Sequence, residues 1–249
     1  MKKNLFVFLT FLAIAFPSCE EKQTLTAGEI MDNAIQAHGA HLLNRSIMDF
    51  KFRGITYRVT RDNGAFQYRR IQLQDSITIT DMLSNDGALR YIDDIQQQVP
   101  DSLLKRYASS VNSVVYFAQL PYSLDGTAVY KELLGEKTIK NKNYYKIKVT
   151  FDEEGGGEDH EDEFIYWIDK NTFLIDYLAY SYCEEDCGYR FRESVNRRTY
   201  QGITVQDYKN YKEIVQDPDL SQMDTFFING DLELLSEIKT EAARIELLH

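Results

Sequence analysis

Hydrophobic and polar residues alternate along most of the chain after residue 46. In the first such run Met48, Phe50 and Phe52 alternate with polar residues, and similar runs follow, separated by short polar or glycine-containing turns. A period of two is typical of β-strands, and short turns favour antiparallel pairing of consecutive strands. The pattern predicts a mainly β (α+β) fold with about ten or eleven strands. The strands are predicted at 48–59, 65–73, 76–83, 88–92, 130–139, 144–151, 164–169, 173–182, 189–200, 203–215 and 231–239.

Three local features qualify this strand pattern. Gly54 lies where the apolar parity changes, which predicts a β-bulge. The dipeptide Asn63-Gly64 predicts a tight hairpin turn. Residues 231–248 suit either a helix or a strand, and we predict a closing strand up to about Lys239.

Two stretches have helical spacing instead. Thr26, followed three residues later by Glu29, forms a capping box, and Gly39 is placed to end that helix in a left-handed cap. A second helix is predicted at 102–119, where Pro121 follows. Its apolar residues form one stripe: Leu103, Leu104, Tyr107, Val111, Val114, Val115 and Ala118.

Two predicted strands are apolar on both faces. In 164–168 and 173–182 the residues of both parities are apolar or aromatic. A sheet with one face in water alternates more cleanly, so both faces here need cover. The helix at 102–119 is the best candidate for one cover, either as a lid over a ligand cavity or as part of a solid core.

The N-terminus carries an export signal. Lys2 and Lys3 precede a short apolar run that ends before Cys19, and this run is too short for a ~20-residue membrane span. The segment resembles the lipobox of bacterial lipoproteins. The resemblance implies that 1–18 are a signal peptide, that Cys19 carries lipid, that 19–25 are a tether and that 26–249 form one domain. The alternative is a secretory signal with an incidental cysteine.

Composition and charge limit the partners. The formal net charge is −11 at pH 7, and loss of Lys2 and Lys3 with the signal makes the mature chain more acidic. This excludes a chain-wide basic footprint for nucleic acid. It also disfavours broad attachment to anionic lipid, so the N-terminal acyl chains would supply the anchoring. We predict an outer-membrane location, on the periplasmic or the surface face.

Three polar groups have competing interpretations. Cys183 and Cys187 are a disulfide candidate in an oxidising compartment, with a soft-metal site as the alternative. The acidic loop 152–163 matches no EF-hand and is interpreted as a solvated hairpin loop rather than a cation site. Four arginines on one strand either bind an anionic headgroup or pair with acids such as Asp207 or Glu213 on the next strand. They are Arg190, Arg192, Arg197 and Arg198.

Catalytic motifs are missing from the sequence. There is no Gly-x-Ser-x-Gly elbow, no His-Glu-x-x-His and no phosphate-binding glycine loop. His38 lies at a predicted helix C-terminus, where a cation is favourable, and a structural role is expected for it. We therefore predict no enzyme activity, no cofactor and no metal site.

The order of motifs resembles an uncharacterised, domain-of-unknown-function family of bacterial lipoproteins, itself similar to the LolA/LolB lipoprotein-carrier fold. The resemblance rests on Ala37-His38-Gly39, the strand at Phe50–Tyr57, the aromatic-arginine strand at Phe66–Arg69 and the segment Asp162–Tyr180. It covers most of 27–239. It implies a single curved, half-open antiparallel sheet or barrel with helices in its mouth and a cavity for acyl chains.

This resemblance leads to a functional hypothesis. The protein is expected to be a non-catalytic, envelope-anchored lipoprotein, monomeric, that binds a lipid or another hydrophobic ligand, with the second helix as a lid. The alternative is a structural or interaction lipoprotein whose core is filled by its own side chains. The residues predicted to line the cavity are Phe50, Phe52, Tyr57, Phe66, Tyr68, Tyr107, Val115, Tyr166, Trp167 and Tyr180.

Overall fold

A computed structural model of the protein describes residues 24–154, 161–183, 187–214 and 218–249. Across these ranges the chain forms fourteen strands and three α-helices. The helices are α1 (Ala27–His38), α2 (Asp101–Ala118) and α3 (Met223–Asn229), with single 3-10 turns at Ala40–Asn44 and Leu220–Gln222. The predicted signal peptide and Cys19 lie outside the described residues.

The strands form two antiparallel sheets of seven strands each. The first sheet has the order β14-β1-β2-β3-β4-β5-β6, and the second has the order β13-β12-β11-β10-β9-β8-β7. The strands are β1 (Arg45–Phe52), β2 (Ile55–Asp62), β3 (Ala65–Gln74), β4 (Ile77–Ser84), β5 (Gly87–Ile92), β6 (Ile95–Gln96), β7 (Val129–Ile139), β8 (Lys142–Phe151), β9 (Phe164–Asp169), β10 (Ile175–Cys183), β11 (Cys187–Tyr200), β12 (Ile203–Glu213), β13 (Leu232–Ile238) and β14 (Glu241–Leu247).

The predicted mainly β, unclosed antiparallel architecture is confirmed. Hydrogen bonding divides the strands into two sheets, and the C-terminal segment joins them. β13 pairs with β12 at the edge of the second sheet, and β14 pairs with β1 at the edge of the first. Lys239 and Thr240 lie between β13 and β14, and we call this dipeptide the seam. Taken together, the two sheets have the strand order of one continuous sheet that is interrupted at the seam.

The two-residue turn at Arg53-Gly54 corrects the predicted bulge. Phe52 and Ile55 are paired across this turn, so the run 48–59 is two strands of a hairpin. Both turn residues have positive φ, 50° at Arg53 and 78° at Gly54. Such φ values at both central positions match the twist of adjacent strands, which is why this turn type joins hairpins. The chain reverses direction here, and that reversal produced the change of parity.

The C-terminal prediction was partly right. The closing strand is confirmed as β13, while β14, the short β6 and α3 were not predicted. α3 has only seven residues and follows a 3-10 turn, which is too short to show a helical period. The hairpin at Asn63-Gly64 and the helix predicted at 102–119 are confirmed.

α1 begins and ends as the sequence predicts. Thr26 and Glu29 form the reciprocal capping box, and Gly39 ends the helix with φ of 66°. The helix buries one face almost completely, through Ile30, Met31, Ala34 and Ile35. This face belongs to the main core, which also takes residues from both sheets and from α2.

The second sheet has a further core on its other face. α3 and the 3-10 turn before it cover this cluster, to which Leu220 and Met223 contribute. Its remaining members come from the strands: Ile139, Tyr144, Ile165, Trp167, Tyr177, Ala179 and Phe191. Phe164, Tyr166 and Ile168 alternate with two of these residues and belong to the main core. Residues 164–168 are thus apolar on both faces of the strand because each face packs into one of the two cores.

Candidate functional site

The main core contains a cavity of about 210 Å³ below the C-terminal half of α2. Apolar residues from β1 and α2 form one part of its wall: Phe50, Phe52, Val114, Phe117 and Ala118. Polar residues come mainly from β11, β12 and the seam: Arg192, Tyr208, Asn210 and Thr240. Ile238, Ser113 and Arg53 complete the lining. The cavity lining therefore combines apolar and polar side chains.

α2 covers this cavity with limited burial of its own. Val111 and Val115 are its only fully buried residues. A few polar contacts hold the helix. The Arg70 guanidinium donates to the Ser110 hydroxyl at 2.6 Å, and the hydroxyls of Tyr116 and Tyr166 lie 3.0 Å apart. Burial raises the pKa of both tyrosines, so this hydroxyl pair stays neutral.

The end of α2 is held by a buried arginine on β2. Arg61 donates to the side-chain amide oxygen of Gln119 and, at 2.6 Å, to the Tyr68 hydroxyl. Its guanidinium also lies 4.1 Å from the ring centre of Tyr122. The quadrupole of an aromatic ring attracts a cation over its face. Through its contacts with Gln119 and Tyr122, Arg61 therefore ties the end of α2 to the first sheet.

Two of the ten predicted cavity residues, Phe50 and Phe52, line the cavity. Tyr57 is paired with Phe50 on the neighbouring strand and stacks on it, with ring centres 5.2 Å apart. Val115, Tyr166 and Tyr180 are buried in the surrounding core. Tyr68 is buried there too, with Phe66 partly buried against it.

Two predicted residues lie elsewhere. Trp167 belongs to the core on the other face of the second sheet, where its indole N–H donates to Asp224 at 3.0 Å. Both the odd-numbered and the even-numbered residues of β9 are mostly apolar. Its sequence therefore did not show whether Trp167 faces the main core or the other face of the sheet. The Tyr107 ring lies 4.0 Å from the guanidinium of Arg90, near an ion pair between Arg70 and Asp81.

Three of the four arginines of β11 pair with acids, as the second interpretation predicted. Arg198 and Asp207 form a two-pronged pair at 2.9 and 3.0 Å, and Arg190 lies 3.7 Å from Glu213. Arg197 binds Asp176 on β10 at 2.7 Å. These pairs link neighbouring strands.

The Arg198–Asp207 pair also fastens the seam. Asp207 accepts from the backbone N–H of Thr240 at 2.9 Å, while Arg198 donates to the carbonyl of the same residue at 2.8 Å. Burial by itself would raise the pKa of the Asp207 carboxyl. The hydrogen bonds from Arg198 and from the Thr240 amide have the larger combined effect, and they hold this pKa below its usual range. The seam wall of the cavity is therefore rigidly placed.

Arg192 is different from the other three. It is 7% exposed, and no ion pair with an acid is seen for it within the described ranges. Its Nη2 donates to the Tyr180 hydroxyl at 2.7 Å, and its Nε lies 3.4 Å from the Asn210 side-chain oxygen, a long contact. The Phe117 ring centre lies 3.8 Å from the guanidinium. The Nη1 atom is buried without a hydrogen-bond partner.

The strand pairing, rather than the sequence, shows that Arg192 points inward. Arg192 is paired with Leu178 on β10, and Leu178 and Tyr180 both belong to the main core. Residues paired across antiparallel strands share a face, so Arg192 was placed to point inward. Two other lining residues, Val114 and Ala118, belong to the apolar stripe that the sequence predicts for α2. The seam could not be predicted as part of the lining, because the tertiary fold brings it there.

His38 is structural, but it is not the cation that the helix end favours. It is 1% exposed, and its Nε2 accepts from the backbone N–H of Ile175 at 3.0 Å. Burial, with the nearby Arg197 guanidinium, lowers its pKa to about 3. His38 is therefore neutral and fixes the end of α1 to the start of β10.

The remaining sequence candidates lie away from the cavity. A disulfide joins Cys183 and Cys187 at the paired ends of β10 and β11, as predicted. The centre of the acidic loop, 155–160, is outside the described residues, while Tyr130 donates to Asp152 at its start. No group of acids, histidines or cysteines suited to a metal occurs in the described part of the chain.

The side chains of the cavity lining are apolar or hydrogen-bonding groups. The lining has no carboxylate, imidazole or thiol among the residues that form it. The hydroxyl of Tyr208 accepts from the Gln206 amide at 2.7 Å, and burial raises the pKa of Tyr208, so it serves as a neutral hydrogen-bonding group. Apolar contact and hydrogen bonding are what the cavity offers a ligand.

Comparison with known proteins identifies the fold and the family. A LolA superfamily protein from Nitrosomonas europaea superimposes with a TM-score of 0.50 at 9% identity, covering 91% of this chain and 95% of that one. A DUF1329 family protein from Desulfovibrio piger gives 0.44 at 10% identity, covering 89% and 93%. No curated protein matches. The chain has a LolA-like fold, and its match over residues 3–240 shows that it belongs to DUF6503, a family of unknown function.

Proposed function

We propose that the protein binds a lipid or another hydrophobic ligand, without catalysis, in the cavity between the two sheets. The observation that carries the proposal is the cavity of about 210 Å³ with its aromatic wall at Phe50, Phe52 and Phe117. Burying apolar ligand surface there is favourable by about 25 cal/mol per Å². The LolA-like fold supports a cavity between sheet and helix, and it does not by itself assign a function.

The size of the cavity suggests a role for α2. A cavity of ~150 Å³ can admit benzene, whereas pockets for larger ligands measure about 300–1,000 Å³. The observed 210 Å³ therefore suits a short chain, and a long acyl chain requires more room. Because α2 is only partly buried, we propose that it acts as the lid and moves to provide that space.

The place of action follows from the N-terminal sequence. We propose that Cys19 carries the lipid anchor and that the domain acts as a monomer in the cell envelope, at the outer membrane. Among the described residues no helix has the length and hydropathy needed to cross a membrane. With residues 19–25 as a tether, the domain would reach ligands near the membrane surface.

Native mass spectrometry of protein extracted from membranes tests the ligand and the anchor together. We expect a covalent mass increase that disappears in Cys19→Ser, and a noncovalent lipid that survives in the gas phase. A thermal titration with fatty acids should also raise the melting temperature, since a ligand at a hundredfold excess over Kd stabilises by roughly 2.7 kcal/mol.

A cavity-filling variant locates the binding. Val114→Trp places an indole in the cavity and should abolish the ligand-induced rise in melting temperature. Asn112→Trp is the matched control, because Asn112 is exposed on the same helix and does not line the cavity. Ala118→Leu is a milder filler should the indole unfold the protein. No stabilisation of the wild type by any acyl ligand, with no lipid in the extract, would leave the structural role as the better account.

A further inference from the structure

One buried cation faces the cavity without a matching acid. Arg192 lines the cavity, is 7% exposed and has its Nη1 buried without a partner. Its neighbours on the same strand, Arg190 and Arg198, both have carboxylates close by. A third acid on β12, opposite Arg192, would have given it the same arrangement, but the residue paired with it is Asn210.

Such an arrangement is unfavourable without a ligand. A buried charge is costly unless it is paired and fully hydrogen-bonded. The partners that Arg192 does have are neutral: the Tyr180 hydroxyl, the distant Asn210 oxygen and the face of Phe117. A guanidinium has five N–H donors in a rigid fork suited to two oxygens of a carboxylate or phosphate. Because Nη1 is buried and unpartnered, Arg192 has donor capacity that no protein group uses, and a small movement of the guanidinium would bring it to such a group in the cavity.

The rest of the cavity fits a ligand with two chemically different ends. Asn210, Tyr208 and Thr240 add polar groups to the lining beside Arg192, while Phe50 and Phe52 contribute aromatic surface from β1. If a methylene takes about the volume of a water molecule in the liquid, ~30 Å³, the cavity has room for a chain of roughly seven carbons.

We propose that the cavity binds an anionic amphiphile, with a carboxylate or phosphate head held by Arg192 and a hydrocarbon chain against Phe50, Phe52 and Val114. This inference rests on the proposed function and names its ligand class. Arg53, which is exposed at the β1–β2 turn and also lines the cavity, is not the head-binding group, because its charge remains in water.

Isothermal titration at pH 7.5 with octanoate, 1-octanol, octyl phosphate and acetate tests the inference. The acid and the alcohol have the same chain and differ in charge. We expect octanoate or octyl phosphate to bind the wild type at least tenfold more tightly than 1-octanol, and whichever binds more tightly names the head. Acetate should bind far more weakly than octanoate, because it lacks the chain.

Variants assign the preference to one arginine. Arg192→Gln should bring octanoate and 1-octanol to the same Kd, while Arg192→Lys, which keeps a charge, should retain part of the preference. Arg190→Gln is the matched control, because Arg190 lies on the same strand, does not line the cavity and has Glu213 beside it, and it should keep the preference. If Arg192→Gln does not fold, the ratio of the Kd values of octanoate and 1-octanol is compared between the wild type and Arg192→Lys instead.

The outcomes separate the two proposals. Equal binding of octanoate and 1-octanol by the wild type overturns the role of Arg192 and leaves the hydrophobic site intact. A preference that survives in Arg192→Gln, or acetate binding as tight as octanoate, also overturns it. If no ligand with a chain binds, the proposed function itself fails, and this inference fails with it.

Discussion

At the scale of single residues, a buried neutral histidine makes the stability of the fold depend on pH. His38 accepts a hydrogen bond from Ile175, and Arg197 and Asp176 lie near enough to influence its charge. The pKa of about 3 in the folded protein lies below the unfolded value of 6.5. The unfolded chain therefore binds more protons between these values, and His38 destabilises the fold as the pH falls through that window.

The first prediction concerns this residue. Replacing His38 by Gln, whose amide oxygen can still accept from Ile175, should remove its part of the pH dependence. Between pH 6.5 and 3 the wild type should lose up to about 5 kcal/mol relative to the variant. Urea unfolding at several pH values measures the difference. His41→Gln is the control, because His41 is exposed, and equal pH slopes for wild type and His38→Gln would contradict the prediction.

Residue roles were predictable where the sequence shows both partners. The pairs of Arg198 with Asp207 and of Arg190 with Glu213 follow from adjacent strands. The register that pairs Arg192 with Asn210 depends on an irregularity in β11 between Val195 and Arg198, which the sequence does not reveal. The absence of an acid opposite Arg192 could therefore not be predicted.

At the scale of elements, the end of α1 contacts the turn between β11 and β12. Gly39 ends the helix with positive φ, and a Cβ added there would lie 2.0 Å from the carbonyl oxygen of Gly202. Gly230 ends α3 with a similar φ of 82°, and a Cβ there would have nothing within 4 Å. The two glycines share a backbone conformation and differ in the space around them.

The second prediction compares these two caps. Gly230→Ala should cost about 1–2 kcal/mol, the strain of an L-residue in the left-handed region. Gly39→Ala should cost about 1–3 kcal/mol more, because the turn at Gly202 must move. Chemical denaturation of the two variants gives the difference directly. Equal losses of stability would mean that the contact with Gly202 relaxes without cost.

Elements with strong local signals were predicted well. The capping box at Thr26, the Asn63-Gly64 turn and the apolar stripe of α2 are local features, and the structure places a helix or turn at each. α3 and β14 were missed because their stability comes from what they cover or pair with. α3 covers Trp167, and β14 pairs with β1, which is distant in sequence.

At the scale of the whole molecule, the two long helices have different attachments to the same core. α1 buries four apolar residues, whereas α2 buries only Val111 and Val115. The other apolar residues with which α2 contacts the core are only partly buried: Val114, Tyr116, Phe117 and Ala118. Regions with fewer buried apolar contacts open at lower free energy. The helix that covers the cavity is thus the less firmly attached of the two.

The third prediction is that α2 opens independently of the rest of the fold. Hydrogen exchange should be faster for the amides of 105–118 than for those of 30–38. Octanoate should slow exchange in α2 and change that in α1 little. Mass spectrometry of peptides from the two helices measures both. Identical protection in the two helices would mean that α2 opens only when the whole domain unfolds.

The pairing of β1 with β14 has a consequence for how the protein is made. Ser46 is paired with Leu247, near the far end of the chain. During synthesis the backbone groups along this side of β1 have no partner until β14 arrives. Folds dominated by such distant pairings form slowly and leave strand edges free to associate wrongly. The chain is therefore expected to depend on being kept unfolded, or protected from aggregation, until β14 has emerged.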